Sequence, residues 1–396
     1  MTVAHDRWQA TGVPFTFISS AGGLSMVLQW PGAAYRSSEV FDTEQERIFR
    51  STWLCVSRSA RLPGPGSFLN IEIAGENILL VRNREGEVRA LLNLCRHRGS
   101  LMCTETEGNF GRSIRCPYHS WTYSLDGQLL SAPYIAELSP EAREDRDLYT
   151  ASATEWLGYI WVNLDPHAEP LASQMAPLLE ARFDGEDVLA KYDTASLDVA
   201  HTVVYDVAAN WKLIFENFCE CYHCPTMHPE LCAAVPQFRT GYGTVSGPAR
   251  QGAELAADFS GFSLTGAATA DPLPGLDAAD ERMFYGVLLW PSVSLNFTPD
   301  HVLCMRVEPL AADRTRVVAE WLFHPDAMAQ PGFDPADAVK LFDVTNRQDF
   351  EVIELVQRGT RSRRFEQVYS PHEHLIGQFH EWVDDAMAAT AGPTEV

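Results

Sequence analysis

Two short strings, Cys95-Arg96-His97 and Cys116-Pro117-Tyr118-His119, bracket the eighteen residues 98–115 and together offer two thiolates and two imidazoles. Nothing else in the chain constrains its folding as strongly, because two separate loops must bring four donors to one point. Each string is a tight turn delivering one sulfur and one nitrogen, and the segment between them can return as a β-hairpin that sets the loops face to face. Gly99, Gly108, Gly111 and Pro117 stand where such loops have to bend. A set of two cysteines and two histidines can hold zinc tetrahedrally. Zinc fingers, however, usually pair Cys-x-x-Cys with His-x-x-x-His, whereas each pair here is mixed. The mixture suits a two-iron, two-sulfide cluster in which one iron keeps two cysteines and the other takes two histidines, with zinc as the alternative.

A second constellation lies about a hundred residues on, within 210–229. Trp211, Ile214, Phe215 and Phe218 recur at helical period, which predicts a buried helix running into Glu220 and His223. Pro225 is expected to end or kink it, so that His228 turns back toward His223. Two histidines and one carboxylate on one face of an iron, the other face left open, form the ligand set of non-haem Fe(II) oxygenases. The third ligand has to come from elsewhere in the chain.

The strings Leu94-Cys95-Arg96-His97-Arg98-Gly99 and Cys116-Pro117-Tyr118-His119-Ser120-Trp121 resemble, almost residue for residue, the Rieske pattern of the ring-hydroxylating oxygenase family. The resemblance extends through 346–359 and 369–382, so it covers nearly the whole sequence. It implies an α+β protein: an arm and helix over 1–50, an all-β Rieske [2Fe-2S] domain over 51–165, and a helix-grip catalytic domain over 166–396, with an antiparallel sheet around a long helix. Cys95, His97, Cys116 and His119 would bind the cluster, with Trp121 packed beneath it. His223 and His228 would bind a mononuclear Fe(2+). Asp349, on the late helix where the family closes its triad, is the third ligand by resemblance, and Asp343 is the fallback. Without the other motifs, a late acidic helix would be read as a solvated face.

Glu220, three residues before His223, matches the carboxylate that in this family links the cluster of one subunit to the iron of its neighbour. It would accept the N–H of His223 and of a cluster histidine, His119, orienting both rings. Many ring dioxygenases carry Asp there. The glutamate within Glu220-Cys221-Tyr222-His223-Cys224-Pro225 looks like the branch of carnitine oxygenase, glycine betaine monooxygenase and choline monooxygenase. The implied function is an oxygenase component that hydroxylates or oxidatively N-demethylates a small quaternary-ammonium or betaine-type substrate with O2. Alternatives are an aromatic-acid ring-hydroxylating dioxygenase or O-demethylase and, in a different class, a non-catalytic iron-sulfur electron-transfer protein. Phe284, Tyr285, Trp290 and Phe297 are possible walls of the substrate site, through cation–π attraction. The chain lacks a Gly-rich dinucleotide fingerprint after a strand, so NAD(P)H and flavin are expected only through a partner reductase. The family's cross-subunit wiring implies a homotrimer.

Composition agrees with this. A net charge of -23 and a pI near 4.8 argue against nucleic acid, whose phosphates need a basic face. The apolar patches near Phe15–Trp30 are broken by Gly22, Gly23 and Pro31, and no run approaches a membrane span. The N-terminus lacks a signal-peptide pattern. The nine cysteines do not read as a disulfide framework, and a reducing cytoplasm is expected. Cys219, Cys221, Cys224 and Cys232 are read as buried free thiols. Short β-rich runs from Trp53 to Pro133, with turns at Pro63-Gly64-Pro65-Gly66, Glu85-Gly86 and Asp126-Gly127, predict the small β domain. Strands are expected at 286–290, 293–297, 302–307 and 316–323, with a hairpin turn at Asp313-Arg314-Thr315. Residues 241–280 are expected to form a loop over the pocket. His372, His374 and His380 are read as surface or interface residues.

Overall fold

The computed structural model describes residues 30–135, 139–183, 187–241 and 252–389. They fall into two compact units: residues 45–174, and a second in which the described residues of 1–44 join those from Met175 onward. Most of the early arm, Phe15 included, and part of the expected loop, 242–251, lie outside the described residues. No helix is long and apolar enough to cross a membrane among the described residues.

The first unit is all β but for short helical turns. Among the described residues its strands are β1 (Leu54–Arg58), β2 (Ser67–Ile73), β3 (Glu76–Arg82), β4 (Val88–Leu92), β5 (Glu107–Asn109), β6 (Ile114–Arg115), β7 (Thr122–Tyr123), β8 (Leu129–Ser131), β9 (Thr150–Trp156) and β10 (Tyr159–Asn163). Seven of them form one sheet in the order β1-β10-β9-β4-β3-β2-β5, and β6-β7-β8 form a small second sheet. The central strand β3 buries Ile78, Leu79, Leu80 and Val81 completely, which is why it reads as a continuous apolar run rather than an alternating one. The turns expected at Glu85-Gly86 and Asp126-Gly127 place glycine at φ +87° and +89°, where a Cβ would be strained. The last strand, Tyr159–Asn163, pairs with both β1 and β9 inside the sheet.

The second unit holds β11 (Asp198–Val207), β12 (Ala253–Glu254), β13 (Met283–Leu289), β14 (Val293–Phe297), β15 (Val302–Ala311) and β16 (Arg314–Phe323). They form an antiparallel sheet in the order β11-β16-β15-β14-β13-β12. Ala311 pairs with Arg314, so the tight turn falls at Ala312-Asp313, one residue before the expected step. Three helices matter for the site: α1 (Trp211–Phe218), α2 (Ala336–Gly359) and α3 (His374–Ala388). The buried residues of α2, among them Ala338, Phe342, Thr345, Asp349, Ile353 and Gln357, recur every three or four positions. One stripe of the helix therefore faces the interior, and Asp349 lies on it.

Residues 30–44 are built into this unit. Glu44 accepts the Trp211 indole N–H (2.9 Å) and pairs with the fully buried Lys212, while the Tyr35 hydroxyl donates to Glu216 (2.6 Å). Buried charges on α1 need partners, and this segment supplies them. His380 corrects its reading as a surface residue: it is fully buried, 2.9 Å from Glu216 and stacked on Trp30 at 3.8 Å.

Candidate metal centres

Cys95 and Cys116 open two loops of the same backbone design. In each, the cysteine N–H donates to the carbonyl five residues on (Cys95 to Ser100 and Cys116 to Trp121, both 2.8 Å). Its carbonyl accepts the N–H four residues on (Gly99, 2.9 Å; Ser120, 3.1 Å). That fourth residue is left-handed in both loops, at φ +69° for Gly99 and +61° for Ser120. The cysteines, 3% and 1% exposed, belong to an apolar core with Leu91, Met102, Ile114, Trp121 and Tyr123. His97 and His119 stand exposed on the other side with ring centroids 4.6 Å apart. Trp121 stacks flat on His97. The Tyr123 hydroxyl accepts the Arg96 N–H at 3.2 Å and lies 3.8 Å from Cys95 Sγ.

The donors are thus sorted into a buried sulfur side and an exposed nitrogen side, the division required by a centre with one iron on two cysteines and the other on two histidines. Burial pushes the Cys95 thiol up, so a thiolate there is unfavourable until a metal's positive charge replaces the proton. On both counts the four residues fit a Rieske cluster.

The second centre assembles from α1, the segment after it, and α2. The helix predicted from Trp211 to Phe218 is present, but it does not run into His223. It closes at Cys219, and the Glu220 carboxylate accepts the Tyr222 N–H and, at 3.3 Å, the His223 N–H, bending the chain. Pro225, expected to end the helix, begins a new short one, Cys224–Met227. Proline suits a first turn because its missing N–H is not needed there.

His223 Nε2 and His228 Nε2 stand 3.2 and 2.9 Å from the same oxygen, Asp349 Oδ1. Asp343 is turned away, accepting the Tyr205 hydroxyl at 2.9 Å and pairing with Arg347. Glu220 Oε1 meets His223 Nδ1 on the far side of the ring. Burial would lower the His223 pKa, yet Asp349 and Glu220 carry it up to about 10. Burial would likewise raise Asp349, and the two imidazoles outweigh it and hold the carboxylate at about 2. Two carboxylates focused on one imidazole make a site that demands a cation, and its donor set is that of a facial two-histidine, one-carboxylate iron.

Two positioning contacts had no signal in the sequence. Gln348, next to Asp349 on α2, places Oε1 2.7 Å from His228 Nδ1, which makes that nitrogen the proton carrier and leaves Nε2 free for a metal. Asn217 Nδ2 donates to Asp349 Oδ1 at 3.2 Å. A reading of apolar period and charge does not single out neutral amides such as these. The cysteines need one correction: Cys219 and Cys232 are buried free thiols as expected, but Cys221 and Cys224 are joined as a disulfide.

The triad opens on a cavity walled by Phe218, Phe238, Phe284 and Phe342. The Phe284 and Phe342 rings are backed by the fully buried Phe262, each 4.8 Å away. Of the aromatic walls predicted, only Phe284 takes part. Tyr285, its neighbour on β13, faces the other way, donating to Asp280 at 3.0 Å. Phe297 packs on Tyr192, and Trp290 on Phe379 and Trp382.

Comparison with known proteins agrees with both centres. Residues 52–142 match the Rieske [2Fe-2S] domain, and residues 194–389 match the ring hydroxylating alpha subunit (catalytic domain). The chain is 30% identical to the glycine betaine monooxygenase oxygenase subunit of Chromohalobacter salexigens, over 90% of this chain and 85% of that one. It is 27% identical to the carnitine monooxygenase oxygenase subunit of Acinetobacter baumannii, over 89% and 95%. The crystal structure of the quaternary ammonium Rieske monooxygenase CntA with gamma-butyrobetaine superposes with a TM-score of 0.67 at 25% identity, covering 91% of this chain and 96% of that one. Naphthalene 1,2-dioxygenase from Rhodococcus sp., at 21% identity and a TM-score of 0.69 over 92% and 95%, shares the fold. With its cysteine-histidine loops and its two-histidine, one-carboxylate site in one chain, this protein belongs to the Rieske non-haem iron oxygenases, as a ring-hydroxylating alpha subunit.

Proposed function

We propose that this chain is the oxygenase component of a Rieske monooxygenase that hydroxylates or oxidatively N-demethylates a small quaternary-ammonium or betaine-type substrate. The observation that carries this reading is the set of four phenylalanines lining the cavity on the triad. Aromatic faces attract a desolvated ammonium by roughly 2 kcal/mol, and an N-methyl group held among them lies against the triad. The names of the relatives, glycine betaine and carnitine monooxygenases, point the same way.

Cys95, His97, Cys116 and His119 are assigned to the cluster, and His223, His228 and Asp349 to the ferrous ion. When bound, the cluster supplies electrons and the iron supplies oxygen activation. Asp349, His223 and His228 would hold the ion at the edge of the cavity they line, and Gln348 keeps the His228 proton on Nδ1. Glu220 holds the His223 Nδ1 proton, and by resemblance it reaches the partner subunit's His119 as well, so that it links two centres across a homotrimer. In the overall reaction one atom of O2 enters the substrate C–H bond and the other leaves as water, consuming two electrons from a separate flavin-containing reductase fed by NAD(P)H and two protons from solvent. A hydroxylated N-methyl carbon then collapses to formaldehyde and the demethylated amine.

The cavity walls also fit a flat ring, so an aromatic acid is the second reading. Incubation with a reductase, O2 and a panel of betaines, carnitine-like amines and aromatic acids separates the two. Formaldehyde or hydroxylated product from a quaternary amine is expected, and turnover confined to aromatic acids would overturn the assignment.

A further inference from the structure

Cys221 and Cys224 bracket His223 in a Cys-x-x-Cys string, their Cα atoms 4.9 Å apart and their sulfurs joined. Both are buried, 5% and 3% exposed, yet both line the triad cavity. Cys224 Sγ stands 4.0 Å from His223 Nε2, and the ligand atoms of His223, Cys224 and His228 all lie within 4.8 Å of one another. A thiol in this position meets any oxidant that arises in the cavity or enters it. A solitary cysteine there would climb from sulfenic to sulfinic acid, a step that ordinary reductants do not reverse. A second thiol three residues away offers a different end point. The disulfide is also compatible with the metal site, since His223 and His228 keep their 3.2 and 2.9 Å approaches to Asp349 while it is closed.

We propose that Cys221 and Cys224 form a reversible modification site for peroxide, a dithiol that closes to a disulfide and thereby spares the triad from irreversible oxidation. In the first step the Cys224 sulfur attacks one oxygen of hydrogen peroxide, the O–O bond breaks, and a sulfenic acid and one water result. In the second the Cys221 sulfur displaces that hydroxyl as a second water and the S–S bond forms. Two thiols together lose two electrons, and one peroxide gains them. A small thiol or a phosphine returns the pair to the dithiol. The proposed function supplies the source of peroxide, O2 reduced without substrate at the iron, but the thiol chemistry does not depend on which substrate the enzyme takes.

The test uses the whole enzyme with its metals, reduced with a phosphine, freed of excess reductant and exposed to added hydrogen peroxide. Free thiols are then alkylated, and the peptide containing residues 221–224 is weighed. The unmodified protein should lose about 2 Da there, recover two alkylatable thiols on reduction, and regain most of its own starting turnover once Fe(II) is resupplied. Cys221→Ser should instead gain about 32 Da at Cys224, which reduction does not remove, and should regain less than about a tenth of its own untreated turnover. Two thiols still alkylatable in the unmodified protein after peroxide treatment would overturn the proposal, and so would equal recovery by Cys221→Ser. Cys221→Ala repeats the comparison should serine disturb folding. Failure of the proposed function would show differently, as intact disulfide chemistry in an enzyme that turns over no quaternary amine.

Discussion

The two metal centres are built by opposite strategies. The proposed cluster site is local: all four assigned donors lie on two short loops of one β unit, each shaped by its own backbone hydrogen bonds, with sulfurs buried and imidazoles exposed. The proposed iron site is assembled at long range. His223 and His228 sit in a bent connection after α1, Asp349 arrives from a helix more than a hundred residues later, and charge rather than backbone geometry holds the three together. A site made by local turns tolerates exposure of half its ligands. One made by focused charge must be buried and must have each polar group held by another.

This contrast can be broken from either side. The largest effect is expected from Asp349→Ala, which removes the charge on which both histidines converge. Metal analysis should fall from about three iron atoms per chain to about two, with the cluster absorption unchanged and turnover abolished. Loss of the cluster as well would mean that the two centres are not independent. Glu220→Gln comes next. Both metals should stay, while turnover coupled to the reductase drops at least about a hundredfold, and undiminished turnover would remove Glu220 from its linking role. Gln348→Leu is smaller. It frees the His228 tautomer and should weaken Fe(II) binding about ten- to a hundredfold in a chelator competition, and Gln348→Glu, which keeps the acceptor, should restore it. The smallest effect probes the local strategy. Gly99→Ala has room for the new Cβ, 3.7 Å from Leu94, but it imposes a left-handed alanine costing about 1 kcal/mol. Calorimetry should show the β unit melting lower, with Fe(II) binding at the triad unaffected.

What was legible follows the same division. Cys95, His97, Cys116 and His119 stand out because ligands on tight loops must be close in sequence. His223 and His228 stand out for the same reason, and family resemblance supplies Asp349. The helix Trp211–Phe218 shows in its apolar period. Its stop at Cys219 does not, because it depends on where the Glu220 carboxylate turns. Pro225 reads as a breaker until the chain beyond it is seen to start a new helix. The edge strand Asp198–Val207 is absent from the expected strands. Most of its side chains are exposed or half-buried, so it carries little apolar pattern. Nor could spacing show that His380 is sealed beneath Trp30, or that Tyr285 faces away from the cavity while Phe284 faces it.

The sequence by itself determined the metal chemistry: which donors the chain offers, in which pairs, and so which two kinds of iron centre it can hold. Ligand type and loop spacing are covalent facts that folding does not alter. Only the tertiary structure decided which late carboxylate stands against His223 and His228, which amides hold His228 and Asp349, which phenylalanines wall the cavity, and that two cysteines beside His223 are bonded to each other. Those outcomes depend on which way a side chain points from a helix or strand, and that is settled by burial and hydrogen bonding among residues far apart in the chain.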